Sequence, residues 1–144
     1  MNPQSISNYF VADHKRLECL YASFKAKLGS DEALCYFWAF KKGIEQNIKW
    51  EEEVLFPFFE EKMGISHDPT DVMLSEHRDI LEYLVGIDEY LLSNRDVAPL
   101  LLALEEVLEA HNQKEEQILF PLIDDYSNGV EKADLFLALC TTRA

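Results

Sequence analysis

Hydrophobic residues recur every three or four positions along four long segments of the chain, at about residues 5–28, 31–63, 70–92 and 96–126. That spacing predicts one amphipathic helix for each segment. Short stretches rich in Gly, Ser, Asn, Asp and Pro separate the segments and are typical of turns. Because short turns make successive helices antiparallel neighbours, the pattern predicts an all-α, up-down-up-down four-helix bundle, with a short C-terminal helix near residues 130–140.

The hydrophobic seam of each helix steps alternately by three and four residues, as in helices packed at about 20° around a common core. The same stepping continues to Phe58 in the second helix and through Ile118 to Leu122 in the fourth. Together with Phe56 and Phe120, Phe58 and Leu122 are predicted to close the deep end of the bundle.

Polar residues interrupt these seams at six positions, which are His14, Asn47, Glu51, His77, His111 and Glu115. Counting about 1.5 Å of rise per residue from the turns places the histidines and Asn47 at the same level of the four helices, with Glu51 and Glu115 one helical turn deeper. Ionisable side chains are rarely buried unless they are paired or bind a metal. A closed group of three imidazoles and two carboxylates is therefore most simply a metal site.

An internal repeat supports the same interpretation. The segment from Asn47 to Pro57 matches the segment from His111 to Pro121 at an offset of 64 residues, and Asp13-His14 matches Glu76-His77 at an offset of 63. The chain thus consists of two similar helical hairpins, each contributing a His and then a His or Asn four residues before a Glu. Residues four apart share one face of a helix, so such a pair is able to hold one ion.

These motifs, spread over about residues 5–126, resemble the hemerythrin-like (HHE cation-binding) domain family. The resemblance implies a non-haem di-iron site in a four-helix bundle, with the ligands His14, Glu51, His77, His111 and Glu115. Two positions depart from the family pattern. Asn47 stands where the family has a histidine, and Met73 stands where oxygen carriers of the family have a second one. Asn is a weak ligand of transition metals, so Asn47 is a weak ligand or an outer contact here.

Two metal stoichiometries follow from the loss of that histidine. We favour an asymmetric pair of iron ions bridged by Glu51 and Glu115, and the alternative is a single ion held by three histidines and two glutamates. Manganese or zinc would also suit these ligands. The resemblance implies a protein that binds or senses iron, oxygen or nitric oxide. The alternatives are a di-iron enzyme acting on peroxide or in iron–sulfur repair, and a helical interaction module that has lost its metal.

Residues next to the predicted ligands are interpreted as surface groups. Glu52, Glu53 and Glu116 are predicted to form a solvated face, and the alternative is contact with the ligand side chains. Glu18, one helical turn after His14, falls off the core seam. Asp13 and Glu76 precede ligand histidines and would be able to orient an imidazole. We predict that both are surface carboxylates. His67 lies in the turn at 64–69 and is predicted to be exposed.

Composition narrows the class of protein further. The chain of 144 residues carries a formal net charge of −14, which disfavours binding to nucleic acids and anionic membranes. We expect a single domain over residues 1–144. The first residues do not resemble a signal peptide and no apolar run reaches membrane-spanning length, so a cytoplasmic protein is expected. Cys19, Cys35 and Cys140 are predicted to be buried free thiols. The sequence leaves the oligomeric state open.

Overall fold

The computed structural model describes residues 5–64 and 68–142, without the side chains of residues 68 and 69. These residues form seven α-helices: α1 (Ile6–Ala26), α2 (Asp31–Trp50), α3 (Phe56–Met63), α4 (Asp68–Leu92), α5 (Ala98–Lys114), α6 (Phe120–Tyr126) and α7 (Gly129–Thr141). Two π-helical turns, π1 (Glu51–Leu55) and π2 (Glu115–Leu119), join α2 to α3 and α5 to α6. The predicted all-α four-helix bundle is confirmed. His67 lies outside the described residues.

The two hairpins pack with α1 against α2 and α4 against α5. Contacts of α1 with α6 close the bundle at its lower end. There the backbone N–H groups of Ile6 and Ser7 donate to the Asp124 carboxylate at 2.8 and 3.0 Å. The first N–H groups of a helix have no partner within the helix, and this carboxylate accepts two of them. Its negative charge also stabilises the positive end of the α1 dipole.

The short C-terminal helix α7 covers the lower end of the bundle. A capping box between Asn128 and Glu131 starts it, and Leu135 and Leu139 are buried in the core. The Trp50 indole N–H donates to the carbonyl oxygens of Leu139 and Thr142 at 3.0 and 3.2 Å. These contacts fix the end of α7 beside the junction of α2 and π1.

The buried apolar residues form two separate clusters, one above and one below a polar layer. The upper cluster includes Leu17, Phe24, Phe37, Phe40, Ile44, Ile80, Leu84 and Leu104. The lower cluster includes Ile6, Phe10, Leu55, Phe56, Phe59, Met73, Phe120 and Ile123. The polar layer between them is the part of the core that apolar packing alone does not explain.

The π-helical turns shift the lower seam by one residue, so the predicted seam was wrong at its lower end, at Phe58 in the second helix and from Ile118 in the fourth. Phe59 is buried in place of Phe58, and in the second hairpin Leu119 and Ile123 are buried in place of Ile118 and Leu122. A π-helical turn holds one more residue than an α-helical turn, because its hydrogen bonds span five residues. The burial of Phe56 and Phe120 at this end agrees with the prediction.

Helix α1 packs tightly against α2 at Gly43. A Cβ atom placed on Gly43 would collide with the Leu17 side chain, whereas one on Gly86 of α4 would make only ordinary contact, 3.4 Å from Leu100 Cδ1. The missing side chain therefore permits the close packing of the first hairpin just above the polar layer.

The three cysteines are exposed, so the prediction of buried thiols was wrong. Each lies off the apolar seam of its helix, and helical phase outweighs the general tendency of cysteine to be buried. None of the helices among residues 5–64 and 68–142 is long and apolar enough to cross a membrane.

Candidate metal centre

The six polar residues predicted on the seams lie together in one buried layer. They are His14 on α1, Asn47 on α2, Glu51 at the start of π1, His77 on α4, His111 on α5 and Glu115 at the start of π2. Every one is less than one-tenth exposed, and the two glutamates are fully buried. Groups of this kind are costly to remove from water, so the layer requires partners with opposite charge or a cation.

Four of these side chains surround one point. One ligand atom from each of Glu51, His77, His111 and Glu115 lies within 4.8 Å of the others. His77 Nε2 is 2.8 Å from Glu51 Oε1 and 3.2 Å from His111 Nε2, and His111 Nε2 is 3.1 Å from Glu115 Oε2. Two imidazole nitrogens and two carboxylate oxygens at these separations suit a transition-metal ion.

His14 lies on the other side of Glu115. Its Nε2 atom is 3.4 Å from Glu115 Oε1, whereas Glu115 Oε2 faces His111. The two oxygens of this carboxylate thus face histidines from different hairpins. Glu51 also has one oxygen among the four converging atoms, and its second oxygen is buried without a partner.

Among the described residues, the buried side-chain atoms without a hydrogen-bond partner all belong to this layer. They are His14 Nε2, Glu51 Oε2 and both carboxylate oxygens of Glu115. A buried polar atom left unpaired costs roughly 1–3 kcal/mol, and more when it is charged. One imidazole nitrogen and three carboxylate oxygens are all electron-pair donors, so cations bound in this layer would satisfy them. The residues therefore fit a metal.

A carboxylate contacts the outer nitrogen of each imidazole. Glu116 Oε2 is 2.6 Å from Nδ1 of His14, Glu52 Oε2 is 2.6 Å from Nδ1 of His77, and Glu76 Oε1 is 2.8 Å from Nδ1 of His111. An Nδ1–H that donates to a carboxylate fixes the ring and directs the Nε2 lone pair into the layer. The predictions that Glu52 and Glu116 form a solvated face and that Glu76 is a surface carboxylate were therefore wrong.

Asn47 has the same kind of partner as the histidines. Its Nδ2–H group donates to Asp13 Oδ2 at 2.9 Å, and the Asp13 side chain is mostly buried. Asp13 corresponds to Glu76 in the repeat, and Asn47 corresponds to His111. The prediction that Asp13 is a surface carboxylate was also wrong. The repeat favours the orienting role over the surface role, because acidic residues occur at matching positions beside the ligands in both hairpins.

The π-helical turns bring consecutive glutamates to both nitrogens of one imidazole. Glu51 and Glu52 contact Nε2 and Nδ1 of His77, and Glu115 and Glu116 contact Nε2 and Nδ1 of His14. The turns are recognised by the N–H groups of Phe56 and Phe120, which donate to the carbonyls of Glu51 and Glu115 five residues earlier.

A proline explains where each π-helical turn occurs. Pro57 and Pro121 stand six residues after Glu51 and Glu115 and follow the last donors of the turns, Phe56 and Phe120. Proline has no N–H, and its ring clashes with the carbonyl four residues earlier in a regular α-helix. A wider turn relieves that clash, and π-helical turns of this kind are frequent at functional sites.

When no cation is bound, protons occupy imidazole and carboxylate groups of the buried layer. Burial alone would lower the pKa of His14 and His111, but the glutamates around them outweigh it and raise the pKa values to about 9 and about 11. Burial and the charge of Glu51 raise the pKa of Glu115 to about 7. Glu51 has a lowered pKa because its contacts with Glu115, His111 and His77 outweigh its burial. Metal binding therefore has to release protons.

Aromatic rings cover the layer from below, and a cleft opens onto it from the side. Phe56 stacks on His77 with ring centroids 5.6 Å apart, and Phe120 packs on His14 at 5.8 Å. The cleft has a volume of about 670 Å³, and His14, Asn47 and His111 line its inner end. Glu18 also lines this cleft, is exposed and lies outside the buried layer, in agreement with the prediction.

Comparison with known proteins gives an independent result. The family model of the Hemerythrin HHE cation binding domain matches residues 5–123, which include every residue of the buried layer. Searches of curated proteins and of solved structures returned no match. The match covers most of the chain, and the histidines and glutamates that suggested the resemblance are those that meet in the bundle. The chain therefore belongs to the hemerythrin HHE cation-binding domain family.

Proposed function

We propose that this cation-binding domain holds a pair of iron ions between the two hairpins. The proposed ligands are His14, Glu51, His77, His111 and Glu115. The observation that carries the proposal is the set of four buried donor atoms without hydrogen-bond partners, all located among imidazoles whose outer nitrogens contact carboxylates. Imidazole nitrogen and carboxylate oxygen are donors that iron accepts readily.

The arrangement supports an asymmetric pair. Two histidines, His77 and His111, converge with both glutamates on one position. On the other side, His14 faces the second oxygen of Glu115, and Asn47 occupies the repeat position of His111. The second position therefore has one nitrogen donor fewer and is expected to bind its ion more weakly. Both glutamates have an unpartnered oxygen available for that ion, so they are the proposed bridges.

Binding or sensing of a diatomic molecule is the function we favour for this centre. Bound iron would supply a redox-active Lewis acid with coordination positions open to oxygen or nitric oxide. The chain contributes the carboxylates that orient the histidines, the phenylalanine rings that exclude water from below, and the cleft that reaches Asn47. The weaker position lies next to that cleft, which is where a small ligand would enter.

Metal content tests the proposal directly. Protein reconstituted anaerobically with ferrous iron is expected to hold close to two irons per chain by elemental analysis. After oxidation, Mössbauer spectroscopy is expected to show a magnetically coupled ferric pair with two inequivalent sites. Glu115→Gln should abolish the coupled pair, whereas Glu106→Gln, on the exposed face of α5, should not change it. One tightly held ion would refute the pair, and no bound metal would refute the proposal altogether.

An enzymatic role is the second candidate, and the cleft favours it because small molecules have a path to the centre. The reaction to test is turnover of hydrogen peroxide by the iron-loaded protein. Turnover that is lost in His111→Ala but retained in Glu106→Gln would indicate an enzyme. Reversible binding of oxygen or nitric oxide without turnover would indicate a binding or sensing module.

A further inference from the structure

The cleft beside the layer is much larger than a diatomic ligand requires. Its volume of about 670 Å³ compares with roughly 30 Å³ for one water molecule in the liquid. Sites for small organic molecules usually measure about 300–1,000 Å³. The size of the cleft therefore points to an additional ligand that is an organic molecule.

Two sets of side-chain contacts between α1 and the α5–π2 helix bound the cleft at its ends. At the inner end His14 contacts Glu116, and at the outer end Tyr21 and Lys25 donate to Glu105 at 2.6 and 2.8 Å. His14 and Lys25 are eleven residues apart, as are Glu105 and Glu116, so the opening between the helices is about 16 Å long. An elongated ligand fits an opening of this shape.

The floor of the cleft is apolar. Residues from α1, α2 and α4 form it, and its buried members are Leu17, Phe40, Ile44, Ile48 and Ile80. Ala22 lies at the rim, where its small side chain leaves the entrance open. Such a floor binds an apolar body by removing it from water, with a contribution of about 25 cal/mol for each Å² of buried apolar area.

The rim of the cleft is negatively charged. Glu105 and Glu116 have partners in Lys25 and His14. Glu18 on one side and Glu109 on the other also line the cleft, and both are exposed. Together with the net charge of −14, two carboxylates facing the opening would repel an anion and attract a cation.

We propose that this cleft binds an elongated, mainly apolar organic cation, with its body on the floor formed by α1, α2 and α4 and its cationic group between Glu18 and Glu109. The inner end of such a ligand would lie beside Asn47. This site does not require a metal, so the proposal of a cation-binding cleft is tested independently of the proposed iron centre.

Three probes that share one apolar body test the proposal: 4-phenylbenzylamine, 4-phenylbenzyl alcohol and 4-phenylbenzoate. In calorimetric titrations at pH 7 the amine is expected to saturate one site per chain. The alcohol should bind more weakly, and the benzoate at least about tenfold more weakly than the amine. The double substitution Glu18→Gln and Glu109→Gln should reduce the affinity for the amine to that for the alcohol.

A substitution that fills the entrance locates the site. Ala22→Trp should abolish binding of the amine, whereas Ala39→Trp, at an exposed alanine of α2 outside the cleft, should leave it unchanged. The proposal is overturned if the amine does not saturate, if the benzoate binds as tightly, or if Ala22→Trp has no effect. Iron content is measured on the same samples. Iron loading without amine binding refutes only the cleft, and amine binding without iron loading refutes only the iron centre.

Discussion

Replacing Asn47 by histidine should complete the weaker half of the centre. The outer contact for the new ring is already in place, because Asp13 Oδ2 lies 2.9 Å from Asn47 Nδ2. The corresponding carboxylates lie 2.6–2.8 Å from Nδ1 of the native histidines. Asn47 also borders the cleft, so the larger imidazole has space to enter.

The size of the effect follows from the ligand that is added. Loss of an outer-shell partner alone typically costs about 10–100-fold in metal affinity, so gain of a directly bound nitrogen with its outer partner should be worth at least this much. We therefore expect the second iron to bind about 10–100-fold more tightly in Asn47→His. This change corresponds to about 1.4–2.8 kcal/mol, since each factor of ten is about 1.4 kcal/mol.

Anaerobic competition with a chelator of known ferrous affinity measures this change. Asn8→His, at an exposed position of α1, adds a histidine away from the centre and should have no effect. Adding Asp13→Asn to Asn47→His should remove much of the gain, because the new imidazole then loses the negative charge of its acceptor. An unchanged or lower affinity for the second iron in Asn47→His would refute the assignment of this position to a metal.

Three further predictions concern the carboxylates, the protons and the helix packing. Glu52→Gln should lower metal affinity about 10–100-fold in chelator competition, whereas Glu53→Gln, which alters only a surface pair with a lysine, should not. In metal-free protein the free energy of unfolding by urea should fall by at least about 2 kcal/mol between pH 6 and pH 9. The pKa values of His14, His111 and Glu115 are raised in the folded state, so the folded protein keeps protons in this pH range that the unfolded chain releases. A free energy of unfolding that rises between pH 6 and pH 9 would contradict the proton assignment. Gly43→Ala should lower the free energy of unfolding by about 1–3 kcal/mol through its collision with the first helix, and Gly86→Ala should lower it by much less.

The position of the buried layer could be predicted because two simple regularities agree. Apolar spacing gives the inward face of each helix, and the rise per residue gives the level at which His14, His77 and their partners meet. Neither regularity depends on the details of side-chain packing. The prediction held above the glutamates, where Phe37, Phe40 and Ile44 are buried on the predicted seam.

At the lower end of the seam, from Phe58 and Ile118 onward, the same reasoning failed, because constant helical periodicity excludes a π-helical turn. Pro57 and Pro121 indicate that the helix is perturbed, but periodicity alone does not show that the perturbation adds a residue and buries Phe59 instead of Phe58. The outer carboxylates were assigned to the surface for a related reason. Glu52 lies off the seam of its own helix and becomes important only because His77 of the other hairpin faces it.

The contacts between the hairpins have a consequence for assembly. His14 of the first hairpin depends on Glu115 and Glu116 of the second, and His77 of the second depends on Glu51 and Glu52 of the first. Neither half of the chain is able to form these contacts alone, so tight retention of a cation requires that both halves have already packed together. A bound ion would then report that folding is complete, and cellular quality control by proteases would meet the metal-free chain more often in a partly open form.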